Sequence, residues 1–449
     1  MRAVTLLKAQ LFKQGGLEKY TWALARDFCA LGSPVTILTS GDVKPPFSHP
    51  LLKIVSLPVD HALSFLNVAH FEAACKKYLA KHPTPVVFGL DRNSFQTHIR
   101  AGNGSHAAYL HRRAAGEGFI KKVSFAVNPL HRMILALEKK GFEHPDLRVL
   151  FTNSQMVRQE ILQFYQTDPS KIIAIHNGVE WQAMQEAFDR WESEREKIYC
   201  AHSSCVNFGS ARQSQIAAKH SDRARPLLNS KASEAAETRE GPGDLRSEKQ
   251  VNVLNRAERF GKVAASQNSH NLNGRSITAF QFLFAGHNFF RKGLDKLLHA
   301  LALIKDEHFQ LSVVGHDKNA DFFKDLAAKL NLSQKVFFFG PQKEMARFYS
   351  VADCLVIPSL YDPFANVTVE ALAMGLFVVS SKTNGGHEIL TPQNGVVVES
   401  LEDATAFSQI LKNVLQHRKT SAGARAIRQS VKHLDFSSQL RRMTELTLA

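Results

Sequence analysis

Twice along this chain, short apolar runs alternate with longer amphipathic ones, and that alternation restricts the fold more than any other feature. In the first block "RAVTLL" reads as a strand, "LEKYTWALARDFCALG" as a helix closed by Gly32, and "PVTILTS" as the next strand. "KIVSLPV", a helix near 64–81 and "PVVFGL" continue the rhythm. "DLRVLFTNSQMVRQEILQFY" is a strand, a polar turn offering Asn153 or Ser154 as N-cap, and a helix; "KIIAIHNGV" closes the block. The rhythm restarts at "AFQFLFAGH" with a helix over 294–306, strand "QLSVVG", helix 320–330 and strand "VFFFG". Helix 343–349, strand "CLVIPS", helix 366–374, strand "FVVSS" and helices near 402–416 and 421–431 follow. Strands alternating with helices imply right-handed crossovers and a parallel sheet covered on both faces. The expectation is an α/β chain of two doubly wound, Rossmann-like domains facing a central cleft.

Residues 202–278 break the pattern with 12 Lys/Arg against 7 Asp/Glu and few large apolar side chains. Such a stretch cannot offset its ordering entropy by burial. It reads as a mostly disordered, low-complexity insertion with short helical pieces, inside a linker over 193–279. That divides the chain into an N-terminal domain over 1–192, a C-terminal domain over 280–432 and a tail over 433–449 returning to the first domain.

In doubly wound sheets ligands bind beyond the carboxyl ends of the strands, so chemistry belongs in the loops that follow them. "FKQGGLEKY" places Gly15 and Gly16 between the first strand and its helix, where backbone can approach a ligand or simply turn. The three-glycine dinucleotide pattern is missing there, which argues against NAD. "AGHNFFRKGLDKLL" sets Arg291 and Lys292 at the mouth of a helix. Cations normally favour helix C-termini, so these two point to an expected anion or to a solvated basic turn. "RAGNGSHAAYLHRR" carries Arg100, Asn103, His106 and His111 on a Gly-broken loop, where an imidazole can serve a sugar hydroxyl or the core. "SSKTNGGHEIL" gives Asn384, Gly385 and Gly386 either to a ligand or to a turn and cap.

The last of these stretches is "LYDPFANVTVEALAMG". Pro363 disfavours helix at Asp362, so that acid belongs to a loop, whereas Glu370 rides a helix starting near Asn366. The pair is a helix cap and a solvated side chain, or a set of acceptors for sugar hydroxyls. No DxD sequence is present, so a metal-clasped diphosphate of that kind is not expected, nor is a cofactor.

A formal charge of +15 suits polyanionic partners. The basic residues are dispersed without interleaved aromatics, which argues against a nucleic-acid binder. Five scattered cysteines (29, 75, 200, 205 and 354) read as reduced and unpaired. With no secretory-type N-terminus and no run of eighteen apolar residues, the expectation is a cytoplasmic protein.

The motifs in order resemble the GT-B glycosyltransferases of family GT4: "RKG" after a strand, acid-x7-Glu, "NGV" at 177–179 and "NGVVV" at 394–398. The similarity covers about 1–192 and 280–445. "GGLEKY", "VVGHDK" and the loop around His106 look most like the bacterial lipopolysaccharide core glucosyltransferase branch. The resemblance implies a retaining, metal-independent hexosyltransferase, with UDP-glucose as donor, a lipid-linked glycan as acceptor, and peripheral contact with an anionic inner leaflet. It gives the ribose hydroxyls to Glu370, sugar hydroxyls to Asp362 and the diphosphate to Arg291 and Lys292. Backbone amides near Asn366 and Val367 and at Gly15 and Gly16 would assist. His106 would sit by the sugar ring, with Asn103 on the acceptor side. Two departures stand out: Asp362 replaces the usual Glu, and Asn366 a usual glycine. Another sugar nucleotide, or a sugar-nucleotide 2-epimerase of the same fold, is the alternative.

Overall fold

The computed structural model describes residues 2–11, 16–59, 64–115, 118, 123–125, 127–196, 269–270, 276–277 and 279–449. β1 (Val4–Leu7), β2 (Val35–Thr39), β3 (Leu52–Ser56), β4 (Val86–Gly89), β5 (His98–Ala101), β6 (Val149–Thr152) and β7 (Ile172–Ala174) form one sheet in the order β3-β2-β1-β4-β5-β6-β7. Every pairing in it is parallel. A short antiparallel ladder, β8 (Ser269–His270) with β9 (Ser276–Ile277), follows. It is the only part of the expected insertion beyond 202 among the described residues, and it is paired strand rather than helix. β10 (Phe280–Ala285), β11 (Phe309–Val314), β12 (Val336–Gly340), β13 (Cys354–Ile357), β14 (Phe377–Ser381) and β15 (Gly395–Val398) make the second sheet, ordered β12-β11-β10-β13-β14-β15 and again parallel.

The inner strands are buried along their whole length, as strands covered on both faces must be. Phenylalanine fills the second core: Phe280, Phe282, Phe284, Phe309 and Phe323 are fully buried in one cluster. Cys29, Cys75 and Cys354 are free thiols buried in the lobes. In each sheet the strand order reverses beside its first strand, between β1 and β4 and between β10 and β13. Loops leaving these strands diverge there and open a crevice at the sheet's carboxyl edge.

Two helices cross between the lobes. The helix over 181–196 buries Phe188 and Trp191 in the C-terminal core, with the Arg428 guanidinium 4.0 Å above the Trp181 ring. Its Arg195 pairs with buried Asp353 at 2.6 Å. A domain boundary at 192 therefore falls inside a helix that packs on the C-terminal lobe, because its aromatic stripe finds its core there. In return, Phe436–Leu448 packs on the first helix, Gly16–Ala30, through an edge-on Tyr20–Phe436 contact and an Arg441–Asp27 ion pair of 2.8 Å. The crossings meet at Val179, whose N–H donates to Leu434 O (3.0 Å) and whose carbonyl accepts from Phe436 N (2.8 Å).

Candidate active site

A cavity of ≈ 1070 Å³ opens between the lobes at the carboxyl edges of both sheets. Arg291, Asp362, Asn366 and Glu370 line one wall; Gly16, Lys19, Arg100, Asn103 and Asn177 line the other. Its size is at the upper end of small-molecule sites.

The cationic corner is built by close approach of two loops. Gly293 caps the helix Leu294–Ala302 with φ +75°, and a Cβ there would fall 1.9 Å from Pro358 O. Only glycine lets the loop after β10 press against the loop after β13. That contact brings both cations to one oxygen: Lys292 Nζ lies 2.7 Å and Arg291 Nη1 3.0 Å from Asp362 Oδ2. Arg291 also donates to Tyr361 O at 3.2 Å, and Asp362 Oδ1 accepts from Phe364 N at 3.2 Å. Burial pushes the Lys292 ammonium below its ordinary range, and the Asp362 carboxylate opposes that shift without cancelling it.

The acid loop gives way to helix Asn366–Ala373, with Ala365 at the N-cap and no side-chain cap. Its first-turn amides at Asn366 and Val367 therefore meet no competing side-chain acceptor from the cap. Val367 itself packs against the C-terminal core and is not among the residues that line the cavity. Glu370, one turn on, accepts from the Tyr349 hydroxyl at 2.7 Å. Burial pushes the Glu370 carboxyl up, and that hydrogen bond pulls the other way.

Asn384 braces this arrangement from behind. Its Oδ1 accepts from Ala365 N (3.0 Å) and Gly386 N (3.1 Å), and its Nδ2 donates to Ser380 Oγ (2.9 Å). The Asn384–Gly386 loop is thus a turn and cap; none of its three residues lines the cleft.

On the opposite wall the helix Gly16–Ala30 begins at the cavity, and open space surrounds the place a Gly16 Cβ would take. Gly15 lies outside the described residues. Arg100 lies over the Tyr20 ring at 3.8 Å and donates to Asn177 Oδ1 at 2.8 Å. Asn177 Nδ2 in turn donates to Asn366 Oδ1 at 2.8 Å, so the two walls touch through a pair of amides. The side chain at 366 is used in that contact, where a glycine would leave a gap.

His106 is not brought to the cleft. Its N–H donates to both oxygens of buried Glu138 (3.0 and 2.9 Å), which Arg92 and Tyr165 hold from the far side. That anchors the start of helix His106–Ala115 and leaves the ring hydrogen-bonded to His131 Nδ1 at 3.0 Å. Burial, with Arg92 and His131 nearby, pushes its imidazole down to about 4. The His111 ring sits 5.7 Å from that of Phe164, away from the cavity. Lys19 lines the cleft from within the GGLEKY stretch, whereas Tyr349 lines it without any local sequence signal; the fold alone delivers the tyrosine. Among the described residues, no group of three or more His, Cys, Asp or Glu side chains is placed to hold a metal ion. No helix there is long and apolar enough to cross a membrane.

Two family models match this architecture lobe by lobe. Residues 14–182 match Glycosyltransferase Family 4 and residues 267–430 match Glycosyl transferases group 1. The chain belongs to the GT4 glycosyltransferases. This GT4 chain is 36% identical over 120 residues to an uncharacterized glycosyltransferase, MJ1607, of Methanocaldococcus jannaschii, which is 26% of this chain and 31% of that one. It is 30% identical over 137 residues to the lipopolysaccharide glucosyltransferase WaaG of Escherichia coli, covering 30% of this chain and 36% of that protein. These matches span about a third of the relatives' own lengths. The crystal structure of WaaG, a glycosyltransferase involved in lipopolysaccharide biosynthesis, superposes with a TM-score of 0.61 at 19% identity, covering 98% of both chains. Anabaena HepE in complex with UDP-glucose superposes at 0.58 and 13% identity, covering 100% of this chain and 99% of that one. At such identities the likeness is one of fold, and the fold is GT-B.

Proposed function

We propose that this GT4 chain transfers a hexose, with UDP-glucose as donor, to a hydroxyl of a lipopolysaccharide-core or similar cell-envelope glycan. The observation that carries this reading is that Arg291, with Lys292 buried beside it on the same Asp362 oxygen, shares one wall of the interlobe cleft with Glu370, a carboxylate one helix turn past an uncapped N-terminus. A diphosphate requires the cations and a ribose diol the carboxylate. The relatives' names, a glucosyltransferase of lipopolysaccharide and a protein holding UDP-glucose, support the donor and acceptor class.

In the proposed reaction the bond between the anomeric carbon and the β-phosphate oxygen breaks, and an acceptor hydroxyl oxygen bonds to that carbon. The hydroxyl proton passes to the departing phosphate, giving UDP and the glycoside. Arg291 and Lys292 are fixed near the charge that develops on the diphosphate, where such donors act most strongly. First-turn amides at Asn366 and Val367, with the helix start at Gly16 opposite, add partial positive charge. Asp362, tied to two cations, is poorly placed as a nucleophile. This supports front-face attack with retention, the leaving phosphate acting as base. Once the diphosphate takes its cations, Asp362 is released to the donor sugar's hydroxyls. Asn103 lies on the wall that would meet the acceptor. The charge of +15 suits peripheral contact with an anionic cytoplasmic leaflet, where a lipid-linked acceptor resides.

Thermal-shift screening against UDP-glucose, UDP-galactose, UDP-N-acetylglucosamine and GDP-mannose tests the donor, since a selective ligand raises the melting temperature by mass action. Selective stabilisation by UDP-glucose is the expected result. Selectivity for another donor would reassign the sugar, and turnover of a donor without acceptor would favour an epimerase.

A further inference from the structure

Tyr361, the residue before Asp362, points its hydroxyl out of its own lobe. It donates to Glu160 Oε2 in the N-terminal lobe at 2.9 Å, across a sequence separation of 201 residues. The other Glu160 oxygen is held by Arg112 through Nε (3.2 Å) and Nη2 (3.0 Å). Both partners are nearly sealed from water, Tyr361 at 5% and Glu160 at 4% exposure. The N-terminal lobe is shaped around the phenol: Gly104, at φ +70°, lies so close that a Cβ there would fall 2.5 Å from the Tyr361 oxygen. The same residue's carbonyl accepts from Arg291, as described above. One peptide thus binds the opposite lobe by its side chain and the diphosphate cation by its backbone. A second tie lies two residues on, where Ser154 Oγ donates to Pro363 O at 2.9 Å.

We propose that Tyr361 is a positioning residue that couples lobe closure to the cationic corner. When the lobes separate, Glu160 and Arg112 move away with one lobe while Tyr361 stays with the other. The peptide that fixes Arg291 and carries Asp362 then loses its outer anchor. When the lobes close, the phenol–carboxylate bond re-forms and sets Arg291 and Asp362 in the observed geometry. Donor activation then waits for the acceptor-bearing lobe, which limits transfer of the sugar to water. The alternative is an ordinary buried hydrogen bond that adds stability and nothing else.

This rests on the proposed function for its kinetic consequence only; the coupling has a readout independent of donor. Hydrogen exchange of the 358–365 segment in the ligand-free full chain is compared for wild type, Tyr361→Phe, Glu160→Gln and the double variant. Each single change is expected to raise exchange of that segment by roughly 10- to 100-fold, the worth of one hydrogen bond to a charged group, with no further rise in the double variant. The kcat for hexosyl transfer from UDP-glucose should fall in parallel, with UDP affinity within about threefold of wild type and hydrolysis rising relative to transfer. Unchanged exchange in that segment, or a double variant worse by the product of the singles, overturns the coupling. A wild-type chain that neither binds UDP nor consumes any donor would defeat the functional reading instead, and the exchange result would still decide whether the lobes are coupled through Tyr361.

Discussion

Asp362 Oδ2 stands 2.7 Å from Lys292 Nζ, so the chain's own carboxylate satisfies the buried ammonium. The same oxygen takes Arg291. One anion shared by two cations leaves the corner a net positive charge. A diphosphate offers what Asp362 supplies, with more charge and more acceptors.

Asp362→Asn should therefore destabilise the ligand-free protein, since Lys292 would be left buried beside a neutral amide. Breaking a buried ion pair from one side costs on the order of 3 kcal/mol. Calorimetric melting should show a lower midpoint, and added UDP should restore more of it in the variant than it adds to wild type. Equal gains from UDP in both would mean that the diphosphate and Asp362 do not share these cations.

Removing the cations addresses turnover. Arg291→Ala and Lys292→Ala together should lower kcat for transfer from UDP-glucose by roughly 10²–10³-fold, as loss of a preorganised transition-state donor does. Quenched-flow or nucleotide-release assays read this directly, and a fully active double variant would remove these residues from the mechanism.

Glu370 makes a pH prediction. Its carboxyl is pushed up by burial, so its proton is held to higher pH in the folded chain than in the unfolded one. Any stability from this shift is full below the unfolded value and fades as pH rises through the folded one. Binding of the ribose diol runs the other way, because the ionised form is the acceptor. UDP affinity should fall as pH drops through the raised value in wild type. The loss of affinity in Glu370→Gln relative to wild type should be about 10- to 100-fold at neutral pH and shrink as pH drops, while the terminal phosphate's own titration is common to both proteins. Titration calorimetry across pH 4 to 8 checks both (roughly the range a shifted carboxyl spans), and a parallel pH dependence in the variant would assign the effect elsewhere.

Glu388 supplies the opposite sign. It accepts from Gln155 N and Met156 N, both at 2.7 Å, and lies 2.9 Å from His176 Nε2, joining the lobes. Burial alone would raise its carboxyl, but those hydrogen bonds outweigh it and hold the group below its ordinary value. Its contribution is present above the unfolded pKa and lost as pH falls through the folded one. The melting gap between wild type and Glu388→Gln should be full at neutral pH and close in acid; a gap independent of pH would mean the carboxylate charge is not what holds the lobes.

Much of the fold is legible from residue patterns because both sheets use strands buried on two faces, which read as unbroken apolar runs. β5, "HIRA", escapes notice since it is short and half polar, and the sheet holds it only through tertiary pairing with β4 and β6. The helix Pro129–Phe142 goes unread as well, although Asn128 caps it and a proline opens it. At the site, Arg291, Lys292, Asp362 and Glu370 follow from loop position and charge. His106 does not, because its surroundings are set by Glu138 and His131, 32 and 25 residues away. Cross-lobe contacts such as Tyr361 with Glu160 leave no local trace at all.

The proposed function depends above all on Arg291 and Lys292 binding a diphosphate in this cleft. Calorimetric titration of UDP and of uridine into the 449-residue chain, and into its Arg291→Ala/Lys292→Ala variant, tests it most directly. Wild type is expected to prefer UDP to uridine by about 100-fold or more, the worth of two charge-assisted contacts, and the variant to lose most of that preference while keeping its affinity for uridine. A preference that survives both substitutions would contradict it.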